Sequence, residues 1–227
     1  MKHKLYLFML AVFMSMTTGL VYTSCGDDDE ITPNDGNGEV TPEGDRTPPD
    51  GVEAVDLGLP SGTLWANMNV GANKPEEYGD YFAWGATSRM VSFGQSPYEY
   101  SARPSELPTS ADAAYVNWGS NWRMPSIEQF DELISSRNTT TKWTVQNGGV
   151  AGRKITSKTN GNSIFLPAAG YQWDGSPSEQ GYKGFYWSRS LSISNARYLH
   201  FYIYGDIHTD ADLIRYGFSV RPVRASE

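Results

Sequence analysis

All seven tryptophans of this 227-residue chain fall between Trp65 and Trp187, while its single cysteine, Cys25, lies well before them. No disulfide can form within the chain, so whatever folds from it must be held by buried aromatic and aliphatic surface. Large aromatic side chains bury ~150–250 Å² each, which makes Trp65, Trp84, Trp118, Trp122, Trp143, Trp173 and Trp187 a plausible source of core stability. Trp65, Trp84, Trp122 and Trp187 are read as core rather than as ligand platforms, because tryptophan is highly buried on average.

The amino-terminal region has a different character. Lys2 and Lys4 precede the apolar run Leu5 to Met14, and smaller, more polar residues follow as far as Ser24; this is the layout of a cleavable secretory peptide. The run is too short to cross a bilayer, and nothing downstream approaches the ~20 apolar residues that a membrane-spanning helix needs. Cleavage after Ser24 would make Cys25 the first mature residue, and a lone cysteine in an exported chain asks for an explanation. Val21 to Cys25 (VYTSC) resembles a bacterial lipobox, in which that cysteine is acylated, although Tyr22 departs from the usual aliphatic residue. One acyl chain binds membranes only marginally, at about 0.8 kcal/mol per buried CH₂, so several chains are needed for a stable anchor. The next residues, Gly26-Asp27-Asp28-Asp29-Glu30, resemble the acidic tag that directs lipoproteins of the Bacteroidetes to the outer face of the outer membrane.

Between Asp27 and Asp56 there are eleven acidic residues and one basic, with Pro33, Pro42, Pro48 and Pro49 among them. Such a segment cannot bury a core and reads as a disordered tether. From Leu57 to Glu227 the 15 acidic and 15 basic residues balance, so the acidity of the chain belongs to the tether. A neutral domain without a basic patch argues against nucleic acid as a partner, since that affinity rests largely on phosphate neutralisation. The expected organisation is a lipoprotein signal peptide over residues 1–24, an acidic tether over 25–50 and one folded domain over 51–227.

Within that domain one stretch is convincingly helical: Ser126 caps, Gln129 follows three residues on as in a capping box, and Ile127, Phe130, Leu133 and Ile134 recur at helical spacing. Glu128 and Glu132 then share its outer side and are read as a solvated face rather than as a carboxylate pair for acid–base work. A second short helical turn is expected over Asp112 to Val116. Elsewhere, turn residues such as Asn147-Gly148-Gly149 and Asn160-Gly161-Asn162 punctuate short strand-like runs. The runs are Thr63–Met68, Tyr81–Trp84, Gly152–Thr156, Ser163–Leu166, Phe185–Ser188, Tyr198–Tyr204 and Phe218–Val223. The expected class is α+β, with short antiparallel strands, one or two helices and long loops. Gly217, in the last run, is expected to permit a close backbone approach or a positive φ.

Six spaced motifs carry a resemblance: VDLGLPSGTLWANMNVGA (Val55–Ala72), YGDYFAWG (Tyr78–Gly85), NWRMPSIEQFDELI (Asn121–Ile134), SKTNGNSIFLPAAGY (Ser157–Tyr171), FYWSRS (Phe185–Ser190) and RYGFSVRPV (Arg215–Val223). In this order they resemble the Fibrobacter succinogenes major paralogous domain, over nearly all of Val55 to Val223. The resemblance implies a C-type-lectin-like fold, in the branch shared with formylglycine-generating enzymes and the targets of diversity-generating retroelements. Asn138 to Trp143 (NTTTKW) departs from the pattern by lacking the cysteine that relatives often carry before the tryptophan.

The chemistry of that branch finds little support in these residues. Once Cys25 is committed to an anchor no thiol nucleophile remains, and His200 and His208 are too few for a three-histidine centre. No HExxH, CxxC, GxSxG or P-loop element is present. The chain is therefore read as a non-enzyme with no cofactor. The candidate ligand surface is the stretch Tyr198 to Asp212, where Leu199, Phe201, Ile203, Gly205 and Ile207 alternate with His200, Tyr202, Tyr204, Asp206 and His208. A strand with this pattern turns one apolar face inward and one aromatic-polar face outward. Tyr198, His200, Tyr202, Tyr204, Asp206, His208 and Asp210 are the expected ligand contacts. In retroelement-diversified relatives, variation concentrates near this end, which the resemblance extends to these positions. Asp206, Asp210 and Asp212 near His208 match no EF-hand spacing and are read as a solvated loop, so no metal is assigned. The expected role is a surface-displayed lipoprotein that binds a glycan or protein ligand. The alternatives are an assembly component of a surface appendage or glycan-uptake complex, and a thiol-less relative of formylglycine-generating enzymes.

Overall fold

The computed structural model of the protein describes residues 47–91, 105–192, 195–212 and 214–225. Cys25, the acidic run Asp27–Glu30 and the expected signal peptide and tether up to Arg46 lie outside the described residues.

The helix expected after Ser126 forms as α2 (Ile127–Ile134), and its capping box is complete: Gln129 N–H donates to Ser126 Oγ, and Ser126 N–H donates to Gln129 Oε1. Ile127, Phe130 and Leu133 bury its inner face. On the outer side Glu132 is a structural acceptor, taking the backbone N–H of Ser61 at 2.9 Å and its hydroxyl at 2.5 Å. Glu128 remains exposed. The shorter α1 (Ala113–Trp118) starts at Asp112, whose fully buried carboxylate accepts from the N–H groups of Ala114, Tyr115 and Met124 and from Arg123 Nε at 2.8 Å. A buried charge is tolerable only when paired and hydrogen-bonded in this way.

Apart from 3₁₀ turns at Thr109–Ala111 and Asn147–Gly149, the remaining described elements are strands in four small antiparallel sheets. β1 (Ala54–Asp56), β2 (Leu64–Ala66) and β11 (Val223–Arg224) make one, in the order β1-β2-β11. β3 (Thr139–Val145), β4 (Ala151–Ser157) and β5 (Ser163–Pro167) make a meander. β6 (Tyr171–Trp173) pairs with β7 (Ser176–Ser178), and β8 (Lys183–Ser192), β9 (Asn195–Tyr202) and β10 (Ile207–Asp212) form the third three-stranded sheet. With two α-helices among the described residues, this is the expected α+β, or mostly-β, class.

Two expected strands dissolve into single bridges. Tyr81–Trp84 contributes only the reciprocal pair Phe82↔Phe218, and Phe218–Val223 splits into isolated bridges before β11. The reason is that residues 217–219 serve three neighbours in turn: Gly217 pairs with Gln172, Phe218 with Phe82 and Ser219 with Tyr186. Close approach explains Gly217, which has no positive φ; a Cβ there would lie 2.7 Å from Met90 Sδ and 3.1 Å from Gln172 Cβ. Conversely Thr139–Trp143 of the NTTTKW segment form most of strand β3, as their content of β-branched threonine and tryptophan favours.

The β8–β9–β10 sheet divides the interior. Tyr186, Leu199 and Phe201 face one core with Trp65, Phe130 and Ile155, whereas Trp187 and Tyr198 face another with Trp84, Trp118, Trp122 and Phe218. Trp65, Trp84, Trp122 and Trp187 are all buried, as expected. Trp84 and Trp187 also tie loops together, donating their indole N–H to Ser188 O and Phe82 O, each at 2.8 Å.

Candidate functional site

Strand β9 ends at Tyr202 and the chain reverses over residues 203–206, so the expected run through Tyr204 is a hairpin and not a continuous strand. The register pairs His208 with His200, Asp210 with Tyr198 and Ile207 with Phe201, while β8 sets Phe185 opposite His200. Since side chains alternate along a strand, Phe185, Tyr198, His200, Tyr202, His208 and Asp210 share one face. Leu199 and Phe201 point to the other and are fully buried, as predicted.

Two parts of the predicted surface need correction. Tyr198 is not an outward contact: it is only 5% exposed, because the sheet is covered on both sides there and its ring packs against Trp187 and Phe218. Tyr204 and Asp206 are exposed but belong to the turn, outside the strand alternation that placed them beside His200. Arg153 anchors this turn by donating to Gly205 O and to Tyr202 O. The shared face therefore grades along β9 from buried Tyr198 through half-buried His200 to Tyr202 at 40% exposure.

Local sequence did not reveal what adjoins this face. Tyr171 and Trp173 of β6, Phe185 of β8, and Tyr216 and Phe218 of the carboxy-terminal segment line up as a row of rings. Trp173 lies 4.7 Å from Tyr216, Tyr216 stacks at 5.8 Å on Phe218, Phe218 at 5.0 Å on Phe185, and Phe185 lies parallel to His200 at 5.8 Å. Tyr171, Phe185, Tyr216 and Phe218 line a shallow recess of about 180 Å³. Trp173 is 38% exposed at its rim, the one tryptophan of the seven that is so open. The signal in the sequence was the aromatic content of GYQW and RYGF, but only the Gln172↔Gly217 pairing brings the two segments together.

At the other end of the row the rings of His200 and His208 meet at 3.8 Å, nearly edge to face, with Tyr202 beyond at 6.5 Å. His200 is held below the ordinary histidine range, first by burial and then by His208 and Lys183, with Asp210 opposing. The nitrogen and oxygen atoms that His200, His208 and Asp210 can offer to a metal all lie within 4.8 Å of one another.

A larger, polar cleft of about 530 Å³ lies elsewhere, bordered by Glu106, Asn121, Arg123, Gln129, Arg189 and Arg224. Its arginines are largely committed to the fold: Arg123 pairs with Asp112, Arg189 with Glu106 and with the carbonyl of Met124, and Arg224 covers the Trp122 ring. The aromatic row is the better candidate, since it offers flat apolar faces with polar edges around a recess.

The chain matches no known family model, no curated protein and no solved structure.

Proposed function

We propose that the protein is a surface lipoprotein whose carboxy-terminal domain, of the C-type-lectin-like kind, binds a glycan without catalysis along the row Trp173–Tyr216–Phe185–His200. The observation that carries this reading is the recess among Tyr171, Phe185, Tyr216 and Phe218 with half-open rings on either side. Apolar ring faces stack on the C–H faces of sugars, while tyrosine hydroxyls and indole N–H groups supply hydrogen bonds at the edges. A glycan rather than a protein is favoured by the small, shallow, ring-lined recess; a protein interface would call for roughly 800 Å² on each partner.

The test is a glycan array probed with the full chain, followed by titration of any hit against Trp173→Ala and Tyr216→Ala. Both variants should lose at least about 10-fold in affinity, as central aromatic anchors do, with a cooperative melting transition retained in each. Equal affinity in both variants and wild type would remove the row from the binding site.

The anchor is tested separately. Cys25 is the only thiol of the chain and follows an export-type segment. Cys25→Ser should abolish fatty-acid labelling and release the protein from membranes; continued partitioning of this variant into a detergent phase would refute the lipoprotein assignment. Among the described residues no helix is long and apolar enough to cross a membrane.

A further inference from the structure

We propose that His200, His208 and Asp210 form a site for one borderline divalent transition-metal ion, with Zn²⁺ as its representative. The hairpin builds the site: His200 and His208 are direct cross-strand partners, and Asp210, two residues further along β10, returns to the same face. Their donor atoms already lie within 4.8 Å of one another. Zinc–ligand bonds of about 2.0–2.2 Å in a tetrahedron place ligand atoms roughly 3.4 Å apart. The remaining contraction falls to the exposed His208 and Asp210, the latter with Oδ1 accepting from the Ala211 N–H, while His200 stays packed parallel to Phe185.

His200 Nε2 is a buried atom without a hydrogen bond, as are Trp65 Nε1, Arg153 Nε, Arg197 Nε, Ser219 Oγ and Arg224 Nε among the described residues. Of these six, only His200 belongs to a cluster whose histidine and aspartate donors converge, so a bound ion can satisfy it there. Two imidazoles and one carboxylate form a donor set suited to zinc and its neighbours, whereas calcium and magnesium require oxygen ligands throughout. Three protein ligands leave a fourth position for water or for an oxygen of a bound ligand. The site therefore stands at the His200 end of the aromatic row, but it does not depend on glycan binding.

Metal-free, untagged full chain titrated calorimetrically with Zn²⁺ near neutral pH is the direct test. One tight equivalent is expected, weakened by more than about 100-fold in His208→Ala and in Asp210→Asn, since even groups that merely orient metal ligands change affinity by about 10–100-fold. The acidic amino-terminal stretch is common to all variants and cancels in their comparison, and Asp206→Asn, at an exposed turn position outside the cluster, should retain the tight equivalent. Cobalt(II) in place of zinc should give intense visible absorption in wild type and not in His208→Ala. Both substituted positions are exposed, and unchanged melting of the metal-free variants confirms that they fold. The proposal is overturned if wild type takes up no more zinc than His208→Ala, or if an excess of Ca²⁺ displaces the tight equivalent. Glycan binding that survives a zinc-null result, or zinc binding without any glycan, separates this site from the function proposed above.

Discussion

Arg221→Ala is expected to be the most damaging single substitution in the domain, costing about 3–6 kcal/mol and leaving a large fraction of the chain unfolded at 37 °C. Arg221 is fully buried, and each arm of its guanidinium is used: Nε donates to Asn69 Oδ1 at 2.8 Å, Nη1 to Ala66 O at 3.0 Å and Nη2 to Phe165 O at 2.9 Å. It thereby ties the carboxy-terminal segment to β2, to the loop after it and to β5. No carboxylate pairs with it among the described ion pairs. Burial accordingly pulls its pKa down to about 10, with Tyr186 opposing, yet at neutral pH it keeps its proton. Truncation leaves three buried acceptors without donors, at about 1–3 kcal/mol each, and opens a cavity; domains of this kind are typically stable by only about 5–15 kcal/mol. Arg221→Lys should recover part of the loss, because an ammonium keeps the charge but cannot reproduce a planar fork. The control is Arg215→Ala, six residues earlier and exposed, expected to change stability by less than about 0.5 kcal/mol. Urea unfolding of the four proteins gives the comparison. An Arg221→Ala variant within about 1 kcal/mol of wild type would mean that water replaces the guanidinium and that the interior there is wet.

The second large effect separates the two faces of β9. Phe201→Ala should cost about 3–5 kcal/mol by opening a cavity, whereas Tyr204→Ala, at 93% exposure in the hairpin turn, should stay within about 0.5 kcal/mol. Phe201 lies over Gly184, its cross-strand partner, where any Cβ would collide with its ring, and it packs between Tyr186 and Trp143 at 6.1 and 6.2 Å. The surroundings cannot collapse into the vacated volume without moving two strands. Tyr198→Ala should resemble Phe201→Ala and not Tyr204→Ala, since Tyr198 is buried in the second core. A melting series in which Tyr198→Ala is as mild as Tyr204→Ala would show that the sheet is covered on one side only.

These cases mark where local sequence carries information and where it stops. α2 was legible in full, because cap, capping box and apolar spacing all lie within nine consecutive residues and every signal agrees. The burial of Trp65, Trp84, Trp122 and Trp187 followed from side-chain chemistry alone, as did the inward direction of Leu199 and Phe201 from alternation. Alternation cannot say whether the opposite face meets water or a second core, and Tyr198 lies against a second core. Nor does it register that a strand has ended: Ile203 to Asp206 keep the same polar–apolar rhythm through a turn that Arg153 fixes from β4.

The sequence by itself determined that the domain has no disulfide, that tryptophan and its aromatic neighbours supply the core, and that short strands dominate, since composition and local spacing are properties of the chain. Tertiary structure alone decided which rings meet. Tyr171, Trp173, Phe185 and Tyr216 come from three segments joined through residues 217–219, and the His200–His208 pair depends on a hairpin register. The first rests on backbone hydrogen bonds between distant segments and the second on those of a hairpin, and such bonds carry no side-chain signature from which they can be read in advance.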